Sequence, residues 1–223
     1  MAAETSSSAL PSSADHAAGA AAFIRAHRED ADHNQYWYSA ATVARILAAV
    51  EEPLEEPAAA AAAAAPAPPP RGAFLSTPSL YFALAPAARA AARHAVLDLD
   101  AAQFAGPGGE AFVRFDFRAA PPEAHLPAAL LGAFDLVVID PPFITEEVWR
   151  LYAAAARALL RADGPRRVVC TTVAENAALM AELFPGARRT RFQPSIPHLV
   201  YQYDLDCNWD AKAFSTPNPE VPE

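Results

Sequence analysis

At 223 residues, with 53% hydrophobic content, a formal net charge of −9 and only two cysteines, the chain suits one domain with a full-sized core in a reducing compartment. The acidic average field repels a phosphate backbone and attracts a basic macromolecule, which weighs against nucleic acid as a partner. No run of roughly eighteen apolar residues is free of charge or proline, and the Met1 end lacks the basic-then-apolar order of a signal peptide, so a cytoplasmic protein with no membrane span is expected; a monomer is the expected state.

Residues 1–15 are small, polar and without period, and read as a disordered tail that cannot offset the entropy of ordering. Helical character is predicted over 16–32, anchored by Phe23 and Ile24. A second helix follows Ser39, with Val43, Ile46, Leu47 and Val50 on one buried face. Residues 16–50 are thus N-terminal helices packed on the main domain. Residues 51–72 carry acidic residues and prolines, then an alanine run at 58–65, then more prolines; so short a run barely offsets helix nucleation, and the stretch reads as an exposed insertion.

From residue 73 to 210 strands and helices alternate. Strands are predicted at 74–76, 95–99, 111–117, 134–139 and 167–172, with helices at 80–93, 122–131, after Thr145 and at 174–184. Phe134 to Ile139 is nearly continuous in apolar character, as a central parallel strand covered on both faces requires. Thr145 can cap the next helix, and Glu146 and Glu147 suit its positive end. Two closing strands fall at 188–193 and 199–209 with no helix between them, and 211–223 reads as a C-terminal tail. Arg188, Arg189 and Arg191 are either a solvated strand edge or a local patch able to overrule the average charge. Alternation of this kind indicates a parallel sheet with right-handed crossovers, whose ligands sit beyond the carboxyl ends of the strands.

Asp140-Pro141-Pro142-Phe143 follows the best strand and so falls at that edge. Two successive prolines stiffen the turn, leaving the Asp140 side chain and the Pro141 carbonyl as acceptors without competing amide donors. Such a pair suits an amine, whose hydrogens need acceptors so that its lone pair can point at an electrophile, while Phe143 packs against the incoming group. The alternative is a carboxylate capping the following helix beside a proline turn. Neither Cys170 nor Cys207 belongs to a metal-binding cluster, and no metal is expected.

The Asp140 motif resembles the amine-binding motif of adenine-N6 and protein-lysine methyltransferases. Together with Gln35-Tyr36-Trp37-Tyr38-Ser39, Ser76-Thr77-Pro78-Ser79-Leu80-Tyr81, Phe115-Asp116-Phe117 and Asn208-Trp209, it resembles one family in particular. That family is the lysine methyltransferases of translation elongation factor 1-alpha, formerly described as N6-adenine-specific DNA methyltransferase-like proteins. The resemblance covers about 33–50 and 73–209. It implies a seven-strand class I methyltransferase sheet, Rossmann-like with a reversed last strand, and S-adenosyl-L-methionine as cofactor. It further implies elongation factor 1-alpha as substrate, with an adenine N6-methyltransferase as the alternative.

The implied roles extend residue by residue. Asp140, Pro141, Pro142 and Phe143 are the catalytic motif. Trp37, Tyr38, Ser39, Ser76, Thr77, Pro78, Asp100, Asp116 and Phe117 hold the cofactor, with Asp100 accepting from ribose hydroxyls and Asp116 from the adenine amino group. Gln35, Tyr36 and Trp209 meet the substrate. Both aspartates also fit helix caps, the aromatics also fit a core cluster, Asp98 fits an exposed strand position and His198 an exposed loop. Ser76-Thr77-Pro78-Ser79 takes the place of the Gly-rich loop usual in this fold.

Overall fold

A computed structural model describes residues 12–53, 70–119 and 121–222. In chain order it contains α1 (Ser13–Ala26), α2 (Ala40–Val50), β1 (Gly72–Leu75), α3 (Pro78–Ala83), α4 (Pro86–Ala92), β2 (Ala95–Asp98) and α5 (Ala101–Gly108). Then come β3 (Phe112–Arg114), β4 (Leu136–Ile139), α6 (Glu146–Leu159), β5 (Arg167–Thr172), α7 (Ala177–Leu183), β6 (Arg188–Arg189) and β7 (Asp204–Cys207). The strands form one sheet in the order β3-β2-β1-β4-β5-β7-β6. The first five run parallel; β7 pairs antiparallel with both β5 and β6, with Thr172 opposite Asp204 and Arg188 opposite Cys207. The expected α/β class with a reversed final strand is therefore the fold observed.

The two-residue alternation along each strand divides the core into two layers. Leu75, Leu97, Val137, Ile139, Val168 and Cys170 face α6 and α7, where Trp149 and Tyr152 are fully buried. Phe74, Val96, Leu136, Val138 and Val169 face α2 and α3, against Ile46, Leu47 and Leu80. Thr145 caps α6 as expected, its side chain accepting from the Val148 amide. Among the described residues no helix is long and apolar enough to cross a membrane.

Several boundaries differ from those predicted, each for a local reason. Ser12 and Asp15 form a reciprocal capping box, so α1 starts at Ser13, inside the stretch expected to be a disordered tail; the rest of that tail, 1–11, lies outside the described residues. The helix predicted over 16–32 ends at Ala26, and Ala31–His33 is a separate 3-10 turn. Pro86 divides the predicted 80–93 helix into α3 and α4. The 122–131 helix is instead two 3-10 turns, Pro122–His125 and Ala128–Leu130, while α5 was not anticipated. The Ala/Pro-rich insertion falls mostly at 54–69, outside the described residues, and Gly72 already belongs to β1.

The segment after residue 211 is not loose. Phe214 is buried against α2 and stacks on Phe192 at 6.0 Å. The Asn218 side chain, 3% exposed, donates to the Gln193 carbonyl at 2.9 Å and to Thr42 Oγ1 at 3.3 Å. Ser39 Oγ bonds Glu220. At the other end, His16 Nε2 lies 3.3 Å from Glu51 Oε2, joining α1 to the end of α2.

Candidate active site

A cleft, with about 780 Å³ of empty space counting the solvent at its mouth, opens at the carboxyl edge of the sheet. It lies where β1 and β4 are neighbours and the chain leaves them toward opposite sides, the switch point at which such sheets hold ligands.

On the β1 side the chain turns sharply at Ser76, whose φ of +53° is uncommon for a residue with a Cβ. The turn is fixed by the Ser76 amide donating to the Leu97 carbonyl at 2.8 Å and by a 2.7 Å bond between Ser76 Oγ and the Tyr152 hydroxyl. Ser76 and Pro78 line the cleft; Thr77 is buried beside them, and its Oγ1 has no partner among the described residues.

Five acidic or aromatic residues come from the ends of β2 and β3, and four of them line the cleft. Asp98, the last residue of β2, is buried rather than exposed and lines the cleft. Burial pushes its carboxyl up to about 6, against the opposing bond from the Asp100 amide. Asp100 also lines the cleft, but its two oxygens accept from the Gln103 amide at 3.0 Å and the Gln103 side chain at 2.9 Å, so it is the N-cap of α5. Phe117 lines the cleft with Phe115, whereas Asp116 between them does not. The Asp116 carboxylate takes two bonds from the Arg118 guanidinium, 2.8 and 3.0 Å, which hold it below its usual range.

Asp140 follows β4 and lines the cleft with Pro141 and Pro142. Burial pushes its carboxyl up to about 6, while the neighbouring Tyr38 and Thr171 hydroxyls act to lower it. The Pro142 carbonyl accepts from Asn34 Nδ2. Among the described residues nothing donates to the Pro141 carbonyl, which is left as an acceptor. Phe143 stands outside the lining at 51% exposure, edge-on to Phe117 with centroids 6.4 Å apart.

The segment before α2 covers the cleft. His33, Asn34, Gln35, Tyr36 and Trp37 all line it, and Gln35 Oε1 is buried without a partner among the described residues. Glu29 anchors this segment, accepting from the Trp37 amide at 2.9 Å and pairing with His198 at 2.5 Å across to the loop that carries Ile196 and Leu199. Trp37 also packs into an aromatic cluster with Phe23 and Phe104. His198 is exposed, 71% at the side chain.

Besides Asp116, Phe143 and Tyr38, which do not line the cleft, two more residues implied to be in the site are elsewhere. Ser39 caps α2, accepting from the Thr42 amide at 3.1 Å, and does not line the cleft. Trp209 lies at the opposite edge of the sheet: because β7 is reversed, the chain leaving it emerges beside the amino end of β5, where Arg167 stacks on the Trp209 ring at 4.9 Å. Trp209→Phe should therefore leave transfer rate and cofactor affinity within about twofold, measurable by steady-state kinetics and calorimetry; a large rise in KM for the acceptor would return Trp209 to the site.

Asp98, Tyr152 and Asn34 were not singled out from the sequence as site residues. The only available signals were the position of Asp98 at a strand end and the proximity of Asn34 to the aromatic motif. Among the described residues no group of three or more His, Cys, Asp or Glu side chains is placed to hold a metal ion.

A seven-stranded sheet of this order, with β7 alone reversed against its neighbours and a cleft at the β1/β4 switch point, is the class I methyltransferase fold. The sequence profile of the family described as probable N6-adenine methyltransferase matches residues 29–211, and the chain belongs to that family. A methyltransferase family on this fold implies use of S-adenosylmethionine. No curated protein matches the chain.

The cleft suits that cofactor chemically. Gln35 Oε1 and Thr77 Oγ1 are unpartnered polar atoms, Asp98 is a buried carboxylate with no ion-pair partner within 4.0 Å among the described residues, and Phe115 and Phe117 offer apolar faces. An amino-acid end, a ribose diol and a purine each find a matching wall.

Proposed function

We propose that the chain is an S-adenosylmethionine-dependent N-methyltransferase that presents a lysine amine at Asp140-Pro141-Pro142-Phe143, acting as a cytoplasmic monomer on translation elongation factor 1-alpha. The observation that carries the reading is the pair of acceptors at one point of the cleft: the Asp140 carboxylate and the unpartnered Pro141 carbonyl.

When bound, the cofactor supplies an electrophilic methyl group on a sulfonium. Asp98 would hold the ribose hydroxyls, Phe115 and Phe117 the adenine, and Gln35, Ser76, Thr77 and Pro78 the amino-acid end. Direct displacement then requires alignment of the acceptor nitrogen and its delivery without a proton. A free lysine has a pKa of about 10.4, so presenting it neutral near pH 7 costs about 4 to 5 kcal/mol in water. Desolvation among the aromatic walls and the adjacent sulfonium both lower that value. Asp140 is largely ionised at pH 7 and alone would raise it. Its role is therefore to orient the amine, with the proton lost to solvent as the side chain enters.

The family's description favours a second reading, methylation of adenine N6, whose amine is neutral already. Against it stand the net charge of −9 and the fate of the arginine cluster. Arg188 pairs with Asp210 and Arg189 with Asp204, both on the β6 edge and neither lining the cleft. The carboxylates of Glu29, Asp30, Asp98, Asp100 and Asp140 in or beside the cleft favour a cationic acceptor. The experiment is incubation with methyl-labelled cofactor and either a cell lysate or bare DNA. One labelled protein band of the elongation factor's size, with lysine identified by mass spectrometry, is expected; label in DNA alone would transfer the assignment to adenine.

A further inference from the structure

Tyr38 was implied to be a cofactor contact, but its side chain goes elsewhere. Ile139 is in register with Cys170, so Asp140 and Thr171, the next residues of each chain, are side by side past the ends of β4 and β5. By the strand alternation both continue the face of Val138 and Val169, on which α2 packs. Tyr38 precedes α2, and its hydroxyl lies 2.6 Å from Thr171 Oγ1. Tyr38 and Thr171 are 3% and 2% exposed, and neither lines the cleft.

Each hydroxyl carries a single proton. The 2.6 Å contact uses one of the two, in either direction, and the other remains for Asp140. We propose that Tyr38 and Thr171 are positioning residues for Asp140, a two-hydroxyl chain that donates one hydrogen bond to the carboxylate and leaves its remaining lone pairs to the acceptor amine. The inference rests on the reading of Asp140 as the amine's partner for its functional meaning. The chain also favours the ionised form, because a carboxylate oxygen accepts its hydrogen bond more strongly than the oxygen of a neutral carboxyl does.

The other titratable groups facing Asp140 are Tyr203 before β7, Tyr152 of α6 and Cys170 of β5, all held neutral by burial. The Tyr38 and Thr171 hydroxyls are the two influences that lower its pKa within this buried setting. Removing both should raise it. Either residue alone retains one proton to donate, so a single substitution should do much less than the pair.

The test is carbon NMR of the protein labelled in its aspartate carboxyls, with the Asp140 signal assigned by Asp140→Asn, followed from pH 4 to pH 8 without substrate. The expected result is a titration midpoint raised by about one unit in Tyr38→Phe/Thr171→Val, with smaller shifts in the single variants. Thr171→Ser, which retains the hydroxyl, should restore the wild-type midpoint and also serves should the double variant fold poorly. An unchanged midpoint in the double variant, or a midpoint in Tyr38→Phe/Thr171→Ser as high as in Tyr38→Phe/Thr171→Val, would overturn the proposal. Because no acceptor is present, failure to find a methylated lysine would sink the functional reading and leave this result standing.

Discussion

Asp140→Ala is expected to lower methyl transfer by roughly a hundredfold or more, the usual loss when an oriented polar group at the reacting atom is removed, while affinity for S-adenosylhomocysteine stays within a few-fold. The Ala variant removes the acceptor for the incoming nitrogen and touches no group assigned to the nucleoside. Lost cofactor binding in a folded variant, read by calorimetry, would move Asp140 to the cofactor. Asp140→Asn should reveal the cost of this carboxylate to the fold. The folded protein raises its pKa from 3.8 to about 6, so it binds the proton more tightly than the unfolded chain does. Stability from this group is therefore greatest below about pH 4 and falls as pH rises to about 6. At pH 7 the Asn variant should be more stable by up to about 3 kcal/mol. The gain should shrink toward zero near pH 4, and a gain that does not depend on pH would contradict this origin. The comparison must be between variant and wild type at each pH, because buried His94, with its value pushed down to about 4, acts in the opposite sense over the same range.

Asp98→Asn should have the second largest effect, and again in two directions. A charge-assisted bond to a ribose hydroxyl contributes about 1.5 to 3 kcal/mol, so S-adenosylmethionine and S-adenosylhomocysteine should both bind roughly ten- to hundredfold more weakly. Without ligand the variant should melt higher at pH 7, since Asp98 is buried and its folded pKa is likewise raised to about 6. Asp116→Ala should weaken both ligands much less, its carboxylate being occupied by Arg118. The reverse ranking in a calorimetric titration would restore the nucleoside to Asp116.

Continuous apolar runs carried most of the fold into view. β5 spans Arg167–Thr172 as predicted, and the run ending at Ile139 put Asp140 at the correct edge. What composition concealed was α5, because Gly106, Pro107 and Gly108, all unfavourable within a helix, make up its last turn, and the helix ends one residue after the proline. β7 is four residues long, far shorter than its tyrosine-rich surroundings suggested. In the site, a motif is local and could be read, but burial and direction are not. Asp98 looks the same in sequence whether it faces solvent or a cleft. Trp209 was misplaced for a topological reason: a reversed strand carries the residues after it to the wrong edge. Tyr38 sits in an aromatic motif whose neighbours Tyr36 and Trp37 do line the cleft, and only the register of β4 with β5 reveals that its hydroxyl meets Thr171 instead.

The clasp formed by Asn218 and Glu220 bears on how the protein should be trimmed. Every cleft-lining residue falls within 29–211, so a fragment cut to the family's span would retain the whole lining. It would lose the Asn218 bonds to Gln193 and Thr42 and the Glu220 bond to Ser39, on either side of the loop that carries Ile196 and Leu199. That wall would then be tied across by Ser39 amide to Ser195 carbonyl and Ser195 amide to Thr42 Oγ1, each 2.9 Å, and by the exposed Glu29–His198 pair. Shortening the protein for expression or crystallisation thus risks a fragment that folds, binds nucleoside and yet grips its acceptor poorly, a phenotype easily mistaken for the wrong substrate.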